Sequence, residues 1–133
     1  MTMEQLRVCE RRENGVVVLA VSGELDLVTG PQLDQHLAAL AAAGDHRVVL
    51  NAADLVFCDA CGITVLLRGH TRAREQQGWL RLLAAHARVR RVLAITDMTR
   101  VLPVFDTVAD AVAGMSVGSS PGLASPQQAA SVL

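Results

Sequence analysis

Val56-Phe57-Cys58-Asp59-Ala60-Cys61-Gly62-Ile63-Thr64-Val65-Leu66-Leu67 is the stretch on which the fold of this chain turns. An apolar, strand-like run stops at Asp59, and a helical pattern begins directly behind it. Ile63, Leu66, Leu67 and His70 recur at i, i+3, i+4 and i+7, the spacing of one helical face. Gly78 is the expected stop of that helix. Asp59 stands at its start, where a carboxylate accepts hydrogen bonds from free N–H groups and suits the positive end of the helix dipole. The same electrostatics make such a helix start a receiver for phosphate.

Upstream, residues 5–12 read as a strand and Asn14-Gly15 as a hairpin turn. Residues 16–21 form a β-branched apolar run, expected as a buried strand antiparallel to the first. Residues 22–26 read as a polar break. Thr29-Gly30-Pro31-Gln32 then has the form of a helix start, with Thr29 as cap, Gln32 reaching back and Pro31 in the first turn. Leu33, Leu37 and Leu40 share a face of this helix, and Gly44 stops it. Residues 47–50 are the next strand, and residues 55–58 continue the extended chain.

Downstream, residues 79–84 read as a strand, and Val89, Val92 and Leu93 mark a third helix of about ten residues. Residues 100–105 read as a last strand, with Pro103 suited to an edge. Thr107 and Asp110 have the spacing of a capping pair for a short final helix. From residue 114 to 133 the composition shifts to Ser, Pro, Gly, Gln and Ala, expected as a flexible tail after a domain spanning 1–113. Strand and helix alternation predicts an α/β fold: a mixed, mostly parallel sheet of about five strands packed by about four helices.

The chain has 133 residues, 51% of them hydrophobic, enough for one domain with its own core. Its net charge is −1, and all 12 basic residues are Arg. Neither a basic excess nor a set of aromatic rings suited to base stacking is present, which argues against nucleic acid as the partner. The apolar runs fall well short of the roughly 20 residues that span a bilayer. No signal-like segment opens the chain, so a cytoplasmic location and no membrane insertion are expected. Three cysteines in a reducing compartment argue against structural disulfides.

Several constellations admit more than one chemistry. Cys58-x-x-Cys61 reads either as a thiol redox pair with Cys61 at a helix N-terminus, or as a core cysteine followed by a serine substitute. Zinc would need a second ligand pair, and the histidines are scattered at 36, 46, 70 and 86. Asp26 and Asp59 each follow a strand, but no base lies near them in the motif, so catalysis is not expected. Arg68, Arg72 and Arg74 form a basic strip along the second helix, either a solvated face or a contact for an acidic partner. Arg88, Arg90, Arg91 and Arg100 form another cluster.

Taken together, these stretches resemble the STAS family, the sulphate transporter and anti-sigma factor antagonist domains. Residues 21–26 match its second-strand signature, and residues 48–51 with 55–67 match its central motif. Residues 93–96 and 101–105 follow the pattern more loosely. The resemblance covers roughly residues 5–113 and implies regulatory binding to an anti-sigma factor with a histidine-kinase-like ATP-binding domain, without catalysis and without a cofactor. It implies a contact surface at Gly23, Glu24 and Asp26, at Asp59, Ala60, Cys61, Gly62 and Thr64, and at Arg68. In typical antagonists the residue after the motif Asp is a phosphorylated Ser or Thr, and the phosphate weakens docking by repulsion and desolvation. Here that residue is Ala60, which has no hydroxyl, and Thr64 lies nearly one helical turn further on. The chain therefore reads as an antagonist locked in its binding form. A STAS subunit of a transport or other signalling complex and a thiol redox protein stand as alternatives.

Overall fold

The computed structural model describes residues 6–83 and 86–114. Its first strands are β1 (Leu6–Glu13) and β2 (Val16–Leu25), joined by the expected turn, with Asn14 and Gly15 both at positive φ. They pair antiparallel from Leu6 opposite Gly23 to Glu13 opposite Val16. There follow α1 (Gly30–Ala42), β3 (Arg47–Asn51), β4 (Leu55–Cys58), α2 (Ala60–Glu75), β5 (Trp79–Leu83), α3 (Ala87–Ile95), β6 (Val104–Phe105) and α4 (Val108–Ala113). The sheet runs β1-β2-β3-β5-β6, all parallel after the entry hairpin, and β4 pairs with β2 off this path. It is the mixed α/β architecture expected from the sequence, with one more strand.

That extra strand corrects the reading of residues 22–26. They are no break: β2 continues through them to Leu25. Its first half pairs with β3, from Val17 to Ala20, and its last residues, Gly23 to Leu25, pair with β4. The register shifts between Gly23 and Glu24. Polar residues are tolerated there because β4 is only four residues long and leaves Glu24 exposed.

Period-two alternation divides the sheet into two faces. Val17, Leu19 and Val21 of β2, Val48 and Leu50 of β3, and Leu80 and Leu82 of β5 meet Leu33, Leu37 and Leu40 of α1, Leu66 of α2, and Val89 and Leu93 of α3. Burying each such leucine contributes about 1.5–3 kcal/mol, which is why α1 forms as a helix on this face. The opposite face carries a smaller cluster of Val16, Val18, Val49, Leu83 and Phe105 beneath Ala111 of α4. Arg81 ties α4 down from the sheet: its guanidinium stacks over Trp79 at 4.1 Å and donates to the Ala111 carbonyl at 2.8 Å.

Local expectations were corrected at four places. α2 ends at Glu75, three residues before the stop expected at Gly78. Gln77 holds the positive φ, and Gly78 sits so close to the His46 carbonyl that a Cβ would lie 1.7 Å from it. The inward stripe of α2 is Gly62, Ile63, Val65, Leu66, Gly69 and Ala73, with Leu67 and His70 only half-buried. The last strand shrinks to Val104–Phe105, because residues 98–102 make a turn closed by Leu102 N–H donating to the Met98 carbonyl at 2.8 Å. Thr29 does not cap α1, as described below. Thr107 does cap α4, accepting from Asp110 N–H at 3.0 Å, and Gly114 follows in the left-handed conformation. The rest of the expected tail lies outside the described residues.

Candidate functional site

β2 and β4 end side by side, with Leu25 in register with Cys58. Asp26 and Asp59 therefore leave the sheet at the same end, as their positions after strands suggested. Asp59 caps α2, its Oδ1 accepting from Gly62 N–H at 2.9 Å. Its own N–H donates to the Leu25 carbonyl at 3.2 Å, which fastens the helix start to β2. Gly62 belongs to this seating and not to the exposed face. A Cβ on it would lie 2.8 Å from Cys58 Sγ and from the Leu25 carbonyl oxygen, and 2.9 Å from Leu25 Cγ. Ala60, Cys61 and Thr64 face outward on the first turns. The Thr64 hydroxyl donates back to the Ala60 carbonyl at 3.1 Å.

The α1 entrance is built differently. Asp26 Oδ1 accepts from Val28 N–H and Thr29 N–H, both at 3.0 Å. The bond from Thr29 N–H holds the Asp26 carboxyl below the usual carboxylate range. Thr29 has helical dihedrals and makes no side-chain cap. Its hydroxyl turns inward, donating to the Glu24 carbonyl at 2.8 Å and accepting from Asp26 N–H at 3.0 Å. Gln32 reaches the Leu6 carbonyl instead of Thr29. The loop so braced pushes Leu27 and Val28 into solvent, 72% and 73% exposed.

Between the two helix starts lies an open groove of about 320 Å³. Asp26, Cys61, Thr64 and Arg68 line it, joined by Leu27, Gly30, Pro31, Asp34 and Val65, none of which was expected as a contact residue. The apolar pair Leu27-Val28 between a strand and a helix was the available signal. Asp34 was not legible, because its partners come from α2: Arg68 at 3.4 Å and Arg72 at 3.2 Å both reach its Oδ1. Two guanidiniums thus share one carboxylate at the far end of the groove. Gly23 donates its N–H to the Asp54 carbonyl at 3.1 Å behind this face, and Glu24 pairs in register with the exposed Phe57.

Cys58 and Cys61 do not share an environment. Cys58 is buried under α2, and burial pushes its thiol up to about 12, the direction opposite to a reactive thiolate. Cys61 is exposed. The histidines are dispersed too: His36 bonds Glu10 at 3.0 Å, His46 meets the Gly44 carbonyl at 2.9 Å, and His86 Nδ1 accepts from Arg88 N–H at 3.2 Å to cap α3. Among the described residues, no three His, Cys, Asp or Glu side chains gather as a metal site. No helix among them is long and apolar enough to cross a membrane.

The model of the STAS domain, the family suggested by the sequence, matches residues 10–111. The chain belongs to the STAS domain family. Among curated relatives, BtrV of Bordetella bronchiseptica, named as a candidate anti-sigma factor antagonist, is 30% identical over 91 residues, 68% of this chain and 78% of that one. The anti-sigma F factor antagonist of Paenibacillus polymyxa is 24% identical over 115 residues, 86% of this chain and 98% of that one. The crystal structure of an anti-sigma factor antagonist from Mycobacterium paratuberculosis superposes with a TM-score of 0.74 at 26% identity, covering 82% of this chain and 92% of that one. In this STAS domain the position after the motif Asp is a solvent-facing methyl group, Ala60.

Proposed function

We propose that this STAS domain is an anti-sigma factor antagonist that docks on a kinase-type anti-sigma factor through the start of α2, and that it lacks the Ser/Thr phospho-switch. The observation that carries the reading is the exposed Ala60 immediately behind the Asp59 cap. The antagonist role is carried over from the relatives so named. A methyl group at this point offers no oxygen for a phosphoryl group. The nearest hydroxyl on the same helix, that of Thr64, is one turn away and donates to the Ala60 carbonyl. Docking is then governed by the amounts of the two proteins, because no charge of about −1.5 to −2 is added at the contact. The work of this domain is recognition, and no bond is made or broken on it.

The test is a binding titration against the kinase-type anti-sigma factors of the parent genome, with and without ATP. Wild type binds one of them equally well in both conditions. Ala60→Asp, which adds a charge beside Asp59, weakens the complex about tenfold or more. Undiminished binding by that variant, with its fold intact by circular dichroism, removes the α2 start from the interface.

A further inference from the structure

We infer that the partner's docking element is a single amphipathic helix lying along the α1–α2 groove in one fixed direction, a cationic residue at the sheet end and a carboxylate at Arg68. The inference rests on the anti-sigma factor reading and goes further by assigning the chemistry and polarity of the element that binds.

Charge along the groove is sorted end to end. At the sheet end Asp26 lines the groove and Asp59 caps the start of α2 beside it, with no cationic side chain among the groove lining there. At the far end Arg68 and Arg72 share Asp34, which leaves one positive charge in excess, and the Arg68 side chain is 51% exposed. Between the two ends the walls are Leu27, Pro31 and Val65. Residues 60 to 68 of α2 rise about 12 Å, roughly two turns of helix. A partner helix of about eight residues spans that length, with its apolar stripe in the groove and opposite charges at its ends. The reverse direction would set carboxylate against carboxylate at Asp59 and cation against cation at Arg68. Leu27, held outward by the Thr29 and Asp26 bonds, is the apolar anchor supplied from this side.

The probe is the anti-sigma factor that binds wild type in the titration above. Arg68→Glu and Leu27→Asp each weaken binding about tenfold or more. Arg74→Glu, the same charge change on the same helix but away from the groove, changes it less than about twofold. In the Cys9→Ser background, bound partner protects the exposed Cys61 from a maleimide, and prior maleimide labelling blocks the complex. A Lys placed at one carboxylate of the partner restores binding to Arg68→Glu, which fixes the direction. If Ala60→Asp abolishes binding while Arg68→Glu and Leu27→Asp bind as wild type, the groove is not the seat and this inference falls alone. If Arg68→Glu instead binds more tightly than wild type, a partner cation faces position 68 and the direction is overturned. If wild type binds no anti-sigma factor, the functional reading falls and takes this one with it.

Discussion

The two helix starts that border the groove solve the same problem in opposite ways. α2 is capped by its own flanking side chain and clamped to the sheet by a glycine with no room to spare. α1 gives up its side-chain cap so that Thr29 can brace the loop before it. One entrance is built for rigid seating, so that Ala60, Cys61 and Thr64 stand at fixed positions. The other holds Leu27 and Val28 out in water, 72% and 73% exposed. Under the docking proposed above, the α2 start supplies the rigid contact and the α1 loop the apolar one.

The largest effect separating the two entrances is expected at Gly62. Gly62→Ala forces its Cβ against the Leu25 carbonyl and the Cys58 thiol, and costs about 3 kcal/mol in urea unfolding. Gly30→Ala at the α1 start meets only Val65 Cγ2 at 3.2 Å and changes stability by less than about 1 kcal/mol. Equal costs would erase the distinction.

Next is Thr29→Val, which keeps shape and leaves the Glu24 carbonyl and Asp26 N–H without their partner. Thr29 is only 5% exposed, so the loss is about 1–3 kcal/mol, with faster amide exchange at Asp26. Asp59→Ala removes a more accessible bond, the cap to Gly62 N–H, and costs about 1 kcal/mol. A larger loss at Asp59 than at Thr29 would reverse the assignment of the two entrances.

The smallest effect is a pH dependence away from the site. Burial lowers the pKa of His70, seconded by the Arg74 charge and to a lesser degree by Arg81, while a backbone bond at Leu80 opposes them. A folded-state pKa below the unfolded 6.5 means the unfolded chain binds the proton first. Stability from this residue is complete above 6.5 and is lost as pH falls through the folded value. His70→Gln flattens that decline between about pH 7 and 5, measured as the urea midpoint, while binding is untouched.

What the sequence disclosed follows the range of the forces involved. The hairpin at Asn14-Gly15, the cap at Asp59 and the leucine stripe of α1 depend on neighbours within a turn, and all three were legible. β4 as a separate strand was not, because its pairing with the end of β2 is a contact between segments some thirty residues apart. Thr29 was misread for a different reason: its spacing suits a cap, yet the Glu24 carbonyl, only five residues before it, takes the hydroxyl instead. Of the contact residues expected, Asp26, Cys61, Thr64 and Arg68 come together in one groove, whereas Gly62 turns inward. The Arg68–Asp34–Arg72 triad crosses between helices: its basic half was legible as a strip along α2, but its acidic partner, Asp34 of α1, was not.

The most direct measurement follows radiolabelled γ-phosphate from ATP in the complex with the anti-sigma factor, for wild type and for Ala60→Ser. Label should stay off wild type and the complex should persist, while the serine variant takes up label and dissociates. Label appearing on the wild-type chain, with loss of the complex, would mean that another hydroxyl serves as the switch and that the methyl group at position 60 is not what keeps this face open.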